Sequence, residues 1–169
     1  MIRFANVNDL KRLTDIYNYE ILNGVATFDT KIRSVSERKK WFDLHDKANN
    51  PIFVYEDNGN VLGYASLSKY RMHEAYLQTA ELSVYVDVNY QGLGIASKLM
   101  TYILDYAKNK TNLHTIISVI TSGNDKSIHL HEKFNFKYSG TLSEVGFKFN
   151  RYLSVDNYTY NVKWLRKKC

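Results

Sequence analysis

One short stretch of this 169-residue chain, residues 90–97 (Tyr-Gln-Gly-Leu-Gly-Ile-Ala-Ser), has residue types that suit phosphate binding. It lies between a strand-like run, residues 82–86, and a helix-like run, residues 95–108. A turn from a strand into a helix presents unpaired backbone N–H groups, and its glycines let phosphate oxygens approach them. The Gln-x-x-Gly-x-Ala spacing is too short for a Walker A loop and is not a GxGxxG fingerprint. On this stretch alone, a turn shaped only for geometry is an equal alternative.

The flanks of this loop narrow the interpretation. Residues 79–87 read TAELSVYVD, and residues 124–136 read NDKSIHLHEKFNF. With the loop, they resemble the GCN5-related N-acetyltransferase (GNAT) superfamily, and within it the phosphinothricin acetyltransferase-like branch. Further segments that fit this branch are residues 16–19, 26–28, 36–38, 41–42 and 146–148. The resemblance covers nearly the whole chain.

The resemblance implies a reaction. It is the transfer of an acetyl group from acetyl-CoA to the primary amine of a small amino-acid-like acceptor, of the phosphinothricin or methionine sulfoximine type, by direct attack in a ternary complex. An ammonium group must lose a proton before it attacks, and a carboxylate can take that proton. Glu81 matches the family's glutamate position and is our candidate base. From spacing alone, it could equally be an exposed carboxylate at a strand end.

The resemblance also implies which residues hold acetyl-CoA, the expected cosubstrate. In this family the strand that contains Val84 splays away from its neighbour, so that its free backbone groups bond the pantetheine arm. A backbone N–H near Val84 then faces the oxygen that becomes anionic. The predicted cofactor-binding residues are Val84, Tyr85, Val86, Gln91, Gly92, Leu93, Gly94, Ile95, Ala96, Ser97, Asn124 and Ser127. An ordinary sheet and ordinary helix caps would explain the same residues.

A histidine stands where the wider superfamily often has a tyrosine that protonates the departing thiolate. His131 occupies this position, and the phosphinothricin branch tends to have His-Glu there. The resemblance therefore predicts His131 as a second catalytic residue, acting as a general acid or as a hydrogen-bonding group near the sulfur. A purely structural histidine is the alternative.

The acceptor site is predicted from four residues that resemble the branch, Phe28, Arg71, Tyr76 and Tyr85. Arg71 either holds an acidic group through paired hydrogen bonds or is a solvated loop arginine. Near the C-terminus the chain departs from the branch, because Phe149 and Ser154 stand where a histidine and an aspartate are usual. The exact acceptor therefore stays open. Acetylation of a protein N-terminus and a non-catalytic CoA- or nucleic-acid-binding module are the competing hypotheses.

Composition sets limits on the class of protein. The length predicts one domain over residues 1–169, and 44% hydrophobic with 24% charged residues is typical of a soluble globule. No signal peptide or long apolar run is evident, so we expect a cytoplasmic location. The lysines and arginines behind the net charge of +6 are mostly scattered, so a solvated surface explains most of them. Positive potential would also serve the binding of anionic CoA, and nucleic-acid binding is a minor alternative. With one cysteine, Cys169, and no zinc-type spacing, we expect no metal, no nucleic acid and no membrane partner, but a homodimer.

Periodicity and turn signals predict an α/β (α+β) fold. Capping boxes at Asn6 and Ser34 start two helices, the second reaching about Lys47 and burying Trp41 and Leu44. Two further helices are expected over residues 95–108 and 127–134. Strands are expected over residues 2–5, 51–55, 61–67, 81–86, 114–120, 136–141 and 156–163. The resemblance completes this as a GNAT fold, a mixed sheet of six to seven strands flanked by about four helices, with a splayed central strand pair.

Overall fold

The computed structural model describes residues 1–162, which form one mixed sheet flanked by helices. The seven strands of these residues are β1 (Ile2–Phe4), β2 (Ile52–Asp57), β3 (Asn60–Lys69), β4 (Thr79–Val86), β5 (Thr115–Thr121), β6 (Lys137–Lys148) and β7 (Arg151–Asn161). Their order in the sheet is β1-β2-β3-β4-β5-β7-β6. The α-helices are α1 (Leu10–Asn23), α2 (Val35–Asp43), α3 (Ile95–Lys110) and α4 (Asp125–Lys133). This confirms the predicted fold class.

The central feature of the sheet is the parallel junction between β4 and β5. The two strands pair at only three positions, the last being Glu81 opposite Ile117. On its other side, β4 stays paired with β3 up to Val86. The backbone N–H of Asp87 donates to the carbonyl of Leu62 in β3. Because the backbone groups of successive strand residues point to opposite sides, those of Val84 and Val86 point away from β3, into the gap that opens between β4 and β5. The splayed strand pair expected from the resemblance is present.

Two helical layers cover the sheet. On one face α3 buries Ile95, Leu99, Ile103 and Ala107, as the helical spacing predicted. On the other face α1 packs with α2 against β2 and β3. Since successive strand residues point to opposite faces, Ala80 and Leu82 of β4 enter the α3 core. The side chains of Glu81, Ser83 and Tyr85 therefore point to the α1–α2 side.

Capping and turn residues mark several helix and strand ends at the positions predicted from the sequence. Both predicted capping boxes are formed, by Asn6 with Asp9 and by Ser34 with Glu37. The first opens with a 3-10 turn, Val7–Asp9, that leads into α1. The hairpin between β2 and β3 turns through Asn58 and Gly59, which have φ of 47° and 79°.

The predicted end of the second helix is wrong. Helix α2 stops at Asp43 instead of continuing to about Lys47, and Leu44 is 73% exposed instead of buried. The N–H of Leu44 bonds to the Trp41 carbonyl, and the N–H of His45 bonds to the Phe42 carbonyl. These bonds span three residues, so they tighten the last turn and carry Leu44 off the buried face.

The last hairpin is longer than predicted. Strands β6 and β7 continue through residues 142–155, which carried no clear strand pattern, because irregular register between Leu142 and Gly146 breaks the two-residue alternation. The connecting turn uses Phe149 and Asn150, whose φ angles of 52° and 57° lie in the left-handed region. The predicted end of the last strand, Lys163, lies outside the described residues.

Candidate active site

Two cavities meet at strand β4. The first, of about 360 Å³, lies on the α1–α2 side and includes Glu81 and Phe28 in its lining. The second, of about 550 Å³, lies between the end of β4, the start of α3 and α4. Ala26 and Tyr85 line both cavities. The arrangement can therefore bring two ligands together at β4.

The glycine loop forms one end of the second cavity. Gly92 and Gly94 have φ of 80° and 75°, and a Cβ added at either would meet no atom within 4 Å. No side chain caps α3, whose first backbone bond runs from the Lys98 N–H to the Gly94 carbonyl. The N–H groups of the first helical turn are thus free beside open space, as an anionic group requires.

The gap between β4 and β5 supplies further unused hydrogen-bonding groups. Besides the backbone of Val84 and the N–H of Val86, the Ser118 hydroxyl of β5 is buried and has no partner within residues 1–162, whereas the Val86 carbonyl accepts from the Gln91 side chain at 3.5 Å. Ser118 lies beside Val84 in a small cavity at the gap. A buried polar group without a partner costs stability, so these groups suit a ligand that adds hydrogen bonds along the strand. The pantetheine arm of acetyl-CoA, with its two amides, fits such a set.

Most residues predicted to bind the cofactor line the second cavity. They are Val84, Tyr85, Val86, Gln91, Gly92, Gly94, Ile95, Ala96, Ser97, Asn124 and Ser127. Leu93 does not line it, because its side chain is 63% exposed. The Asn124 side chain also accepts from the Ser127 N–H at 3.3 Å, so it caps α4. Sequence reasoning missed Glu20, Val25 and Lys126, which line the same cavity.

Glu81 has a carboxylate with no hydrogen-bond or ion-pair partner within residues 1–162. It is partly buried in the first cavity, at the last β4–β5 pair, and opposite Ser68 of β3. Burial raises the pKa of its carboxyl above the ordinary value, and no neighbour among residues 1–162 opposes this. A raised pKa makes an ionised carboxylate a better proton acceptor.

His131 lies on the other side of the junction, in the second cavity. It is 5% exposed, and its Nδ1 lies 2.7 Å from the Ser127 carbonyl oxygen, so Nδ1 carries the proton. Burial lowers the pKa of the imidazole, and the hydrogen bond to Ser127 only partly opposes this. His131 is therefore neutral at neutral pH, with a lone pair on Nε2. Such a group accepts a hydrogen bond, and it can give up a proton from Nε2 only after gaining one.

The loop between α1 and α2 is held against both cavities by a buried lysine. Lys148 is 4% exposed, and its ammonium donates to the carbonyls of Glu20, Gly24 and Thr27 at 3.2, 2.8 and 2.8 Å. A second contact to the loop comes from β4, where the Tyr85 hydroxyl donates to the carbonyl of Ala26 at 3.3 Å. These bonds position Ala26 where the two cavities meet.

The predicted acceptor residues divide into two groups. Phe28 and Tyr85 line the first cavity, and Phe28 packs so closely on Gly146 that a Cβ there would lie 2.2 Å from its ring. Arg71 and Tyr76 line neither cavity. They are in the segment between β3 and β4, where the Arg71 guanidinium lies 5.6 Å from the Tyr76 ring centroid.

The first cavity also contains residues that sequence reasoning gave no role. Tyr17 comes from α1, Arg38 and Trp41 come from α2, and Tyr64 comes from β3. A signal for Arg38 was available, because it lies three residues before Trp41 and so shares the face predicted to be buried. A charged residue on a helix face that is predicted to be buried is unusual, and this would have singled out Arg38.

Two further features concern metal ligands and membrane spans. Within residues 1–162, no three His, Cys, Asp or Glu side chains are grouped so that they could hold a metal ion. None of the helices in this part of the chain has the length and apolar character needed to cross a membrane.

Comparisons with known proteins agree with this geometry. Residues 2–155 match the family model for the acetyltransferase (GNAT) domain. The chain is 37% identical over 155 residues to an L-methionine sulfoximine/L-methionine sulfone acetyltransferase of Pseudomonas aeruginosa, covering 91% of this chain and 90% of the relative. It is 37% identical over 151 residues to a phosphinothricin N-acetyltransferase of Streptomyces coelicolor, covering 87% of each. The solved structure of YncA from Salmonella typhimurium, with its cofactor acetyl-CoA, superposes with a TM-score of 0.91 at 32% identity, covering 96% of this chain and 93% of that one.

The unpaired carboxylate of Glu81 should cost stability. Its pKa is raised in the folded state, so ionisation at neutral pH opposes folding, whereas below the ordinary carboxyl pKa both states are protonated. Glu81→Gln should therefore raise the Tm at pH 7.5 by a few degrees, since 1 kcal/mol corresponds to about 2–4 °C at this length. The gain should vanish near pH 4. Calorimetric melts of this variant and of Glu74→Gln, an exposed control, test the expectation; equal melts at pH 7.5 would mean that the carboxylate has a partner.

Proposed function

The chain belongs to the GNAT acetyltransferase family and is an N-acetyltransferase, and we propose that it acetylates the primary amine of a small amino-acid-like acceptor by direct attack in a ternary complex. The observation that carries this proposal is the position of Glu81. An unpaired carboxylate with a raised pKa lines the first cavity, at the strand junction where the second cavity begins. This geometry suits removal of a proton from an amine in the first cavity.

The second cavity is the proposed site of acetyl-CoA. When bound, acetyl-CoA supplies the acetyl group as a thioester. The N–H groups around Gly92 and Gly94 would hold its pyrophosphate, with Leu93 contributing only backbone. The backbone groups of Val84 and Val86 would bond its pantetheine arm. Asn124 and Ser127 border the same cavity.

Three groups of the chain would then act around the reacting atoms. Glu81, directly or through water, takes the proton of the acceptor ammonium. The Val84 N–H, which is free in the gap, donates to the carbonyl oxygen as negative charge develops. His131 is the candidate for the group that assists the departing thiolate. Because Ser127 holds its Nδ1–H, its Nε2 would first take the proton that the nitrogen of the tetrahedral adduct loses, and would then donate it to the sulfur.

The acceptor class is inferred from the relatives and from the first cavity. The Pseudomonas and Streptomyces relatives are named for methionine sulfoximine, methionine sulfone and phosphinothricin, all small amino acids. A cavity of about 360 Å³ with aromatic walls suits a molecule of that size.

We also propose that the protein is a cytoplasmic homodimer, as expected from the sequence. Support for a dimer comes from the hairpin of β6 and β7, where large apolar side chains are exposed. Leu142, Val145 and Phe147 are each 55% exposed, and Tyr152 is 66% exposed. Apolar groups of this kind at a sheet edge favour protein contacts.

The acceptor class is tested by a screen with acetyl-CoA and thiol release as the readout. Free amino acids, L-methionine sulfoximine, L-methionine sulfone and phosphinothricin are compared with short peptides of varied N-terminus. We expect turnover of free amino-acid-like amines to exceed that of every peptide, because the cavity is small. Turnover confined to peptides would instead establish N-terminal acetylation, and acetyl-CoA binding without any turnover would establish a non-catalytic module.

The cofactor site is tested by a pair of glycine variants. Gly94→Val and Gly59→Val place the same side chain at positive φ, 75° and 79°, with no atom within 4 Å in either case. Both should lose comparable stability, on the order of 1–3 kcal/mol. Only Gly94→Val should weaken acetyl-CoA binding, by about tenfold or more, because its methyl groups fill the space beside the free N–H groups. Calorimetry that gives equal CoA affinities for both folded variants would remove the loop from the site.

The proposed base is tested by the pH dependence of Glu81→Gln. The variant should keep acetyl-CoA affinity but lose about 100-fold or more in single-turnover rate at pH 7. The deficit should shrink as pH rises, because more acceptor amine is already neutral. Wild-type rates for Glu81→Gln across the pH range would end this assignment. His131→Phe is the contrasting variant, since it should keep the pH profile and lose most with a poor thiol leaving group.

A further inference from the structure

The first cavity contains a buried guanidinium, that of Arg38, which forms no ion pair within residues 1–162. Arg38 of α2 is 6% exposed, and its guanidinium carbon lies 3.7 Å from the Trp41 ring centroid and 4.3 Å from the Tyr17 ring centroid. Its Nη2 donates to the Tyr64 hydroxyl at 3.3 Å. No other hydrogen bond satisfies the group, and the buried Nε has no partner.

Within residues 1–162, the acidic side chains nearby form no ion pair with Arg38, although its charge adds to the hydrogen bond from Arg33 in lowering the pKa of Asp29. Asp29 is paired with Arg33, which donates to both of its carboxylate oxygens at 2.8 and 2.9 Å. Glu81 lines the same cavity as Arg38 but forms no ion pair with it. Burial of an unpaired guanidinium costs desolvation free energy, and cation–π interactions with the aromatic rings on either side offset only part of it. The Nη1 donors have no partner within residues 1–162 and, unlike Nε, are not fully buried, so they are available to a ligand in the cavity.

We propose that Arg38 binds the acid group of the acceptor. Its planar fork matches a carboxylate or a phosphinate, whereas its stacking between Trp41 and Tyr17 fixes the orientation of the fork. An amino-acid-like acceptor carries an ammonium and an acid group, and the cavity offers an unpaired Glu81 and an unpaired Arg38. The two charges of the cavity are thus complementary to those of the acceptor.

This assignment rests on the proposed function and adds the residue that selects the acid. It differs from the expectation for Arg71, which lies outside the cavity beside Tyr70 and Tyr76. A peptide acceptor has no acid group next to its terminal amine. A buried guanidinium in this position would therefore also disfavour peptides.

The test compares acids with their amides. L-methionine sulfone, phosphinothricin and the α-carboxamide of each are assayed with wild type, Arg38→Met, Arg71→Met and Lys40→Met, the last an exposed control on α2. Arg38→Met should lower kcat/KM for the two amino acids by about 100-fold, mainly through KM, and should not change it for methionine sulfone carboxamide. Lys40→Met should leave all four substrates at wild-type rates. If phosphinothricin carboxamide still depends on Arg38, the bound acid is the phosphinate; if it does not, the bound acid is the α-carboxylate.

Other outcomes overturn the assignment. Equal losses for acids and amides in Arg38→Met would make Arg38 a structural residue only, and a loss of acid preference in Arg71→Met alone would give the role to Arg71. Thermal melts and acetyl-CoA calorimetry establish that each variant is folded. If Arg38→Met is not, Arg38→Lys keeps the charge without the fork and should show a smaller, still acid-dependent loss. A wild type that acetylates peptides but none of these amines would reject the proposed function, and this inference with it.

Discussion

The separation of β4 from β5 after Glu81 is the constraint on which the rest of the site depends. Parallel strands normally continue their ladder, because unpaired backbone groups in an interior cost free energy. Here the ladder stops after three pairs, and the backbone of Val84 and Val86 turns toward the gap, where the Val86 carbonyl accepts only a 3.5 Å hydrogen bond from the Gln91 side chain. The free N–H groups at the start of α3 open on the same space. The fold thus leaves hydrogen-bonding capacity unused along one continuous path, which suits a long ligand that takes the place of a strand.

The two cavities keep their relation because a loop is tied down between them. The ammonium of Lys148 donates to two backbone carbonyls of the loop that follows α1, those of Gly24 and Thr27, and to the Glu20 carbonyl in the last turn of α1. The lysine comes from β6, on the far edge of the sheet. A distant strand therefore sets the position of Ala26, the residue shared by both cavities. Catalytic geometry in this protein depends on the last hairpin as well as on β4.

Electrostatics in the first cavity are unfavourable to the folded protein by itself. Glu81 and Arg38 have opposite charges, yet neither forms an ion pair within residues 1–162. An ion pair between the two would lower the free-energy cost of burying both charges, but it would also occupy the groups that the amine and the acid group of the acceptor require. Such uncompensated charge is typical of sites where stability is given up for binding and catalysis.

The sequence by itself determined most of the elements and most residues of the proposed cofactor half of the site. Periodicity placed the buried face of α3, capping boxes placed the starts of two helices, and the contiguous loop around Gly94 lines the second cavity. The acceptor half was different. Phe28 was found, but Arg38 and Tyr64 were not. Arg71 was chosen because its segment resembles the family branch, and it lies on an exposed loop. Only the tertiary structure decided this half, because its walls come from separate helices and strands that meet through long-range packing. A local pattern records which residues share a face of one element, but it does not record which faces of different elements enclose a cavity.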